Sequence, residues 1–241
     1  MKSRLLMLPT AITLFAALAV PALLAAQQDG PSRQFPQYKL TVLPTLGGTF
    51  GNAWGVNTRG WVAGHSTLPG HQEYHEFLWR SGVITDLGTL GGPNSNNGTL
   101  NDRGAISGFS DTSTPDPNGE DFCGFGTNLI CLPFVWQKGV MTALRLLGGN
   151  NGYAGGINNR GQIVGVSETP NSDPCSFALL QVEAAIWENG RVQEFPPFSG
   201  DSVGNATAIN DSGQAVGATG CVATMIILCA PYCGHMVRTV E

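Results

Sequence analysis

Short stretches of alternating apolar and polar residues, separated by turns rich in Gly and Asn, recur along the chain from about residue 38. The clearest pattern is Asn-x-x-Gly followed by x-x-x-Gly-x-Ser/Thr. It occurs four times, at 57–66, 101–110, 158–167 and 210–219. In such a turn the Asn side chain can bond its own backbone and Gly accepts a left-handed conformation. Each copy therefore predicts a tight hairpin that joins two strands.

Two further segments recur between these hairpins. An apolar stretch centred on Trp is followed by a Gly turn at 77–83, 134–140 and 185–191. A Leu-Gly-Gly segment stands at 43–48, 87–92 and 144–149, with a degenerate copy at 195–200. Each unit thus predicts four short strands, the size of a propeller blade. The single Trp of each unit is predicted to pack in the core between units.

The repeats predict an all-β fold, a β-propeller-like array of about four four-stranded repeats. The segment from Gln37 to Pro44 matches the fourth strand of a unit, and the segment from His235 to Val240 matches the third. The N-terminal strand could then complete the last unit and close a ring, which would protect the strand edges. The alternative is a shortened member of a longer array, because the last unit lacks the Trp.

The N-terminus predicts export. Residues 1–26 combine a basic start, an apolar centre and small residues at Ala25 and Ala26, which is the layout of a secretory signal peptide. An uncleaved anchor is the competing interpretation, since the apolar run is about long enough to span a bilayer. The expected organisation is a signal peptide at 1–26, a linker at 27–37 and a β-repeat domain at 38–241. No membrane span is expected after cleavage.

Composition narrows the class of partner. The chain holds 12 Lys and Arg against 17 Asp and Glu, and only 12% of its residues are charged. An acidic, lysine-poor chain lacks the basic surface that nucleic-acid binding needs. We therefore expect an extracellular protein or carbohydrate as partner and no nucleic acid.

Six cysteines lie beyond the signal segment, and an even number in an oxidising compartment predicts disulfides. A zinc site would need closer Cys and His pairs. The pairing stays open at this point. The six are Cys123, Cys131, Cys175, Cys221, Cys229 and Cys233.

The loops between the second and third strands of the units vary in length, and the cysteines lie in these loops or at their ends. Variable loops on a repeated scaffold commonly carry binding, although disulfides can also serve only to hold long loops down. The candidate binding residues are carboxylates of or beside these loops: Asp111, Asp116, Glu120, Asp121 and Glu168. Calcium is one ligand that such oxygens take, but the spacing is not that of an ordered calcium loop, and a solvated loop is the alternative. No cofactor is otherwise expected.

The combined motifs resemble the bacterial extracellular HAF repeat, named for a His-Ala-Phe triplet. Here the triplet stands as His75-Glu76-Phe77, Leu132-Pro133-Phe134 and Glu183-Ala184-Ala185, with Gly234-His235-Met236 as a last relic. The resemblance covers about residues 38 to 240. It implies secretion to the bacterial surface, periplasm or medium and a repeat fold, and it implies no activity or catalytic residues.

The chain contains no Gly-x-Ser-x-Gly turn and no His-Glu-x-x-His motif. We therefore expect a secreted, non-enzymatic binding or surface-interaction module that uses its disulfide-bearing loop face. A secreted carbohydrate-active enzyme on a propeller scaffold and a structural envelope protein are the alternatives, because propellers host all three roles.

Overall fold

The computed structural model describes residues 38–70, 72–174, 176, 178–195, 197–220 and 235–239, the last of these as backbone only. The predicted signal peptide and linker lie outside the described residues, as do four of the six cysteines. Contacts within the chain divide it into Met1–Val42 and Leu43–Glu241. Every described strand belongs to the second unit.

The described residues form fifteen β-strands and no helix. Most strands have six to ten residues, as expected for turns spaced this closely. In chain order the strands are β1 (Gly51–Val56), β2 (Val62–Thr67), β3 (Tyr74–Arg80), β4 (Val83–Asp86), β5 (Gly91–Leu100), β6 (Ile106–Pro115), β7 (Leu129–Gln137), β8 (Val140–Ala143), β9 (Gly152–Ile157), β10 (Ile163–Ser172), β11 (Leu180–Glu188), β12 (Arg191–Phe195), β13 (Val203–Ile209), β14 (Gln214–Gly220) and β15 (His235–Thr239).

These strands form four antiparallel sheets in which chain neighbours pair in order. Three sheets have four strands, β1–β4, β5–β8 and β9–β12, and the fourth has β13–β15. The all-β prediction is confirmed, and so are four strands per unit in the first three units. β15 pairs with β14 as a third strand would.

The Asn-x-x-Gly segments form the hairpin turns between the first and second strands. Asn101 shows the geometry: its carbonyl accepts the Gly104 N–H at 3.1 Å, and its Oδ1 accepts the N–H groups of Arg103 and Ala105 at 3.0 Å each. Gly104 has φ +80°, which an L side chain rarely adopts. Asn57, Asn158 and Asn210 accept the same pair of bonds in their own turns.

The Ser of the Gly-x-Ser pattern holds the Leu-Gly-Gly segment. Ser66, Ser110 and Ser167 each accept, through Oγ, the N–H of the Leu directly before the two glycines, namely Leu46, Leu90 and Leu147, at 2.9 Å. The two most regular motifs of the sequence therefore contact each other, and they are structural.

The core lies between consecutive sheets, because the first strand of each later sheet packs on the second and third strands of the sheet before it. One cluster joins Ala63 and Leu78 of the first sheet to Ile106 and Phe134 of the second. Another joins Val164 and Ile186 of the third sheet to Ala206 and Ala215 of the fourth. Trp187 is buried and packs with Val135 of the preceding sheet, as the prediction for the repeated Trp requires.

The predicted closing strand does not form in the described part of the chain. Residues 38–44 belong to no strand, and Tyr38, Leu40 and Val42 are exposed. The fourth sheet has three strands among the described residues. What the structure shows is therefore a succession of four small sheets, without a closed ring.

Candidate functional site

The loop that joins β6 to β7 is the longest connection in the described part of the chain. It runs from residue 116 to 128 and is closed by a disulfide between Cys123 and Cys131, eight positions apart. Asp116 opens the loop: its Oδ1 accepts the N–H groups of Asn118 and Glu120 at 2.8 and 3.1 Å. The side chains of this segment thus tie its own backbone into an ordered loop.

Asn151 fastens this loop to the next sheet. Its Nδ2 donates to Asp116 Oδ2 at 2.8 Å, and its backbone N–H donates to Glu168 Oε2 at 2.8 Å. Its Oδ1 accepts the N–H of Cys131 at 2.9 Å. Asn151 is fully buried, so one side chain between the sheets joins two buried carboxylates and the disulfide.

Asp111 and Asp121 are two further carboxylates at the loop between β6 and β7. Asp111 is buried on β6, where its Oδ2 accepts Asn94 Nδ2 at 3.1 Å and Thr127 Oγ1 at 3.0 Å. Asp121 is exposed and accepts the Gly126 N–H at 2.9 Å. Its negative charge is close enough to raise the pKa of Asp111.

Burial affects the protonation of two buried carboxylates, Glu168 and Asp111. It raises the pKa of Glu168, against the N–H groups of Asn150 and Asn151, which lower it. The charge of Glu120 raises that pKa further. Burial likewise raises the pKa of Asp111, against the bonds from Asn94 and Thr127. Glu168 and Asp111 thus accept hydrogen bonds from the protein itself, which hold both side chains in place.

Four aromatic rings surround the same loop. Phe109 of β6 lies 5.7 Å from Phe125 and 5.9 Å from Tyr153, measured between ring centroids. Phe122 lies 6.4 Å from Tyr153. All four side chains are half-buried. We call Phe109, Phe122, Phe125 and Tyr153 the aromatic platform.

The five predicted carboxylates therefore belong to one region of the fold. Asp116, Glu120 and Glu168 are linked through Asn151 and the loop backbone, and Asp111 and Asp121 lie beside them. Glu120 is half-buried and Asp121 exposed, whereas Asp111, Asp116 and Glu168, also predicted as binding residues, are buried and accept protein donors. Their main role in this structure is to order the loop.

Asn151 and the aromatic platform were not predicted. Asn151 follows a Leu-Gly-Gly segment in a stretch of Gly and Asn that is typical of a turn. Phe109 holds the position after the motif glycine, which His65, Val166 and Ala218 occupy in the other units. The large aromatic side chain at that position is the one signal that could have pointed to the platform.

In the described part of the chain no group of three or more His, Cys, Asp or Glu side chains is arranged to hold a metal ion. Two other buried carboxylates lie apart from the loop. Glu76 on β3 is fully buried, and burial raises its pKa well above its usual range. Burial, together with the charges of Glu194 and Asp173, raises the pKa of Glu183 on β11 to about 7.

No family model matches the chain, and no curated protein matches it. Over the residues that the structure describes, no helix is long and apolar enough to cross a membrane.

Proposed function

We propose that this chain is a secreted, non-enzymatic binding module that engages an extracellular partner through the loop between β6 and β7. The observation that carries the proposal is the aromatic platform, in which the half-buried rings of Phe122 and Phe125 on the disulfide-closed loop meet those of Phe109 on β6 and Tyr153 on β9. Large rigid aromatic side chains dominate binding energy when a partner buries them. The HAF-repeat resemblance and the signal-peptide pattern support an extracellular setting.

The charges around the platform favour a protein partner with a basic surface. Asp121 is exposed beside Phe122, and Glu120 is half-buried at the same loop. An aromatic centre with a charged rim is the usual anatomy of a protein interface, and rim charges steer a partner of opposite sign. A carbohydrate is the alternative ligand, since aromatic faces and carboxylates also suit sugar rings and hydroxyl groups.

The hydrogen bonds of the buried carboxylates Asp116 and Glu168 favour a binding role for this loop over a catalytic one. Asp116 and Glu168 each accept hydrogen bonds from backbone and amide donors. Bonds of this kind, to both oxygens of Asp116 and to Oε2 of Glu168, stabilise the loop. Such a role leaves the outer surface of the loop to contact the partner.

The test compares wild type with the double variant Phe122→Ala/Phe125→Ala in pull-downs from the extracellular fraction of the producing cells and on a glycan array. Phe198→Ala is the matched control, because Phe198 is an exposed Phe in the link between β12 and β13. We expect the double variant to lose at least tenfold in affinity and the control to bind as wild type. Equal binding by the double variant would refute the proposal. If wild type binds on the glycan array but captures no protein in the pull-down, the ligand is a carbohydrate.

A further inference from the structure

β1, the first strand among the described residues, is uncovered where the equivalent strands are buried. Ala154 of β9 and Ala206 of β13 are 0% and 3% exposed. Ala53 has the same register on β1, since all three pair with the glycine of the Gly-x-Ser/Thr pattern, yet it is exposed. β1 therefore presents to solvent the face that later sheets bury against the sheet before them.

The last described sheet, β13–β15, leaves its opposite face uncovered. One position of the second strand, directly before the motif glycine, is fully buried in the first three sheets, as Ala63, Ser107 and Val164. Val216 holds this position on β14 and is 41% exposed. Val164 is buried because Ala206 of the next sheet packs on it. Val216 therefore lies on a face built to receive the first strand of a following sheet.

The hairpin turns are joined by a row of hydrogen bonds, which we call the ladder. In every bond the donor belongs to the earlier turn and the acceptor to the next one along the chain. The Nδ2 of Asn57, Asn101 and Asn158 donates to the carbonyl of the next Asn in the series, at 3.1, 3.0 and 2.9 Å. At the end of the ladder, Asn210 Nδ2 donates to Gln214 Oε1 inside its own turn. Within the described residues, no earlier turn donates to the Asn57 carbonyl. One end thus offers an amide donor and the other a carbonyl acceptor.

A parallel row beside the ladder ends in the same way. The N–H groups of Thr58, Asp102 and Asn159 donate to the side-chain oxygen of the next turn, at 2.9, 2.8 and 2.7 Å. Over the described residues no further turn accepts the N–H of Asp211. Both polar rows and both apolar faces therefore stop at complementary ends.

We propose that copies of this chain associate head to tail, so that the β14 face of one copy covers β1 of the next. Among the described residues both faces are exposed at once, so the sheet of β13–β15 does not cover β1. The occupant is a second copy because Ala53 and Val216 have the register that Ala206 and Val164 have at the junction of the last two sheets. A contact between unlike faces generates closed rings or filaments.

The test is the mass of the purified full chain in solution, measured by light scattering across a concentration series. Ala53→Lys blocks the first face and Val216→Lys blocks the second. Val83→Lys is the control, because Val83 is 61% exposed on β4, away from both faces. We expect wild type and Val83→Lys to form multiples of the chain mass that dissociate on dilution. Each face variant alone should have the mass of one chain.

Mixing the two face variants separates this geometry from other modes of association. An Ala53→Lys copy keeps the β14 face and a Val216→Lys copy keeps β1, so one junction remains. The mixture should therefore form particles of two chains and no larger species. A wild type with the mass of one chain at all concentrations would overturn the proposal. Assembly by either variant alone, or a mixture that stays at one chain, would also overturn it.

Discussion

The side-chain amide of Asn101 donates to the main-chain carbonyl of Asn158, 57 positions later, at 3.0 Å. The residue that closes one hairpin thus also joins it to the hairpin of the next sheet. A turn residue chosen for local chemistry serves a second, long-range purpose here. The same bond recurs at Asn57 and Asn158, which makes the ladder a regular feature of the stack of sheets.

Removing an interior member of the ladder should cost more than removing the last one. Asn101→Ala leaves two N–H groups beside this buried residue without their acceptor and removes one of the two donors to the Asn158 carbonyl, so we expect a loss of about 3 kcal/mol in the free energy of unfolding. Asn210 is exposed, so water replaces its bonds and Asn210→Ala should cost about 1 kcal/mol. Urea unfolding of both variants measures the difference. Equal losses would show that the ladder adds nothing to the individual turns.

Stability should fall as the pH rises from mildly acidic to neutral. The raised pKa of Glu183, about 7 in the fold against an ordinary 4.5, means that the folded chain holds a proton that the unfolded chain has released between these values. Its stabilisation is fully present below about pH 4.5 and is lost as the pH rises through about 7. Burial raises the pKa of Glu76, Glu168 and Asp111 as well, so these carboxyls act in the same direction.

Melting temperatures from about pH 5 to about pH 8 test this dependence. We expect Tm to decrease with pH in wild type and to decrease less in Glu183→Gln, which cannot ionise. Glu188→Gln is the control, because Glu188 is exposed at the end of the same strand. A slope in Glu183→Gln equal to that of wild type would contradict the assignment.

A side chain at Gly98 should break the contact between the first two sheets. A Cβ there would lie 1.7 Å from Glu76 Oε1, whereas a Cβ at Gly204 on β13 would meet nothing closer than 3.5 Å. We expect Gly98→Ala to cost about 3 kcal/mol by overpacking and Gly204→Ala to cost less than about 1 kcal/mol. Denaturant unfolding measures both. If overpacking is the cause, adding Glu76→Ala to Gly98→Ala should not destabilise further.

The disulfide of the loop should contribute to stability through the chain entropy of a short closed loop. Cys123→Ala/Cys131→Ala should lower the free energy of unfolding by about 2 to 3 kcal/mol. Thermal unfolding of this variant and of wild type, under oxidising conditions, provides the measurement. A loss below about 0.5 kcal/mol would mean that Asp116 and Asn151 alone hold the loop.

The strands and hairpin turns could be read from the chain because they depend on local chemistry. Asn57 and Gly60 define a turn whatever surrounds them, and alternating residues define a strand face. Trp187 is buried as predicted for the same reason, since an aromatic ring between apolar neighbours belongs in a core. Trp79 and Trp136 of the earlier units are only half-buried. The candidate site was predicted in part, since clustered carboxylates mark a polar loop without showing which of them are buried.

The repeated motifs by themselves determined the all-β class, the order of strands within each sheet and the position of the long loop between the second and third strands of the second unit. Each of these follows from contacts between residues that are near in sequence. The tertiary structure alone decided that Asn151 joins Asp116 to Glu168, that four aromatic rings meet beside the loop, and that Ala53 and Val216 stay exposed. These relationships depend on how one sheet packs on the next. The alternation of apolar and polar residues within a strand does not specify the distance between two sheets or which residues meet across them.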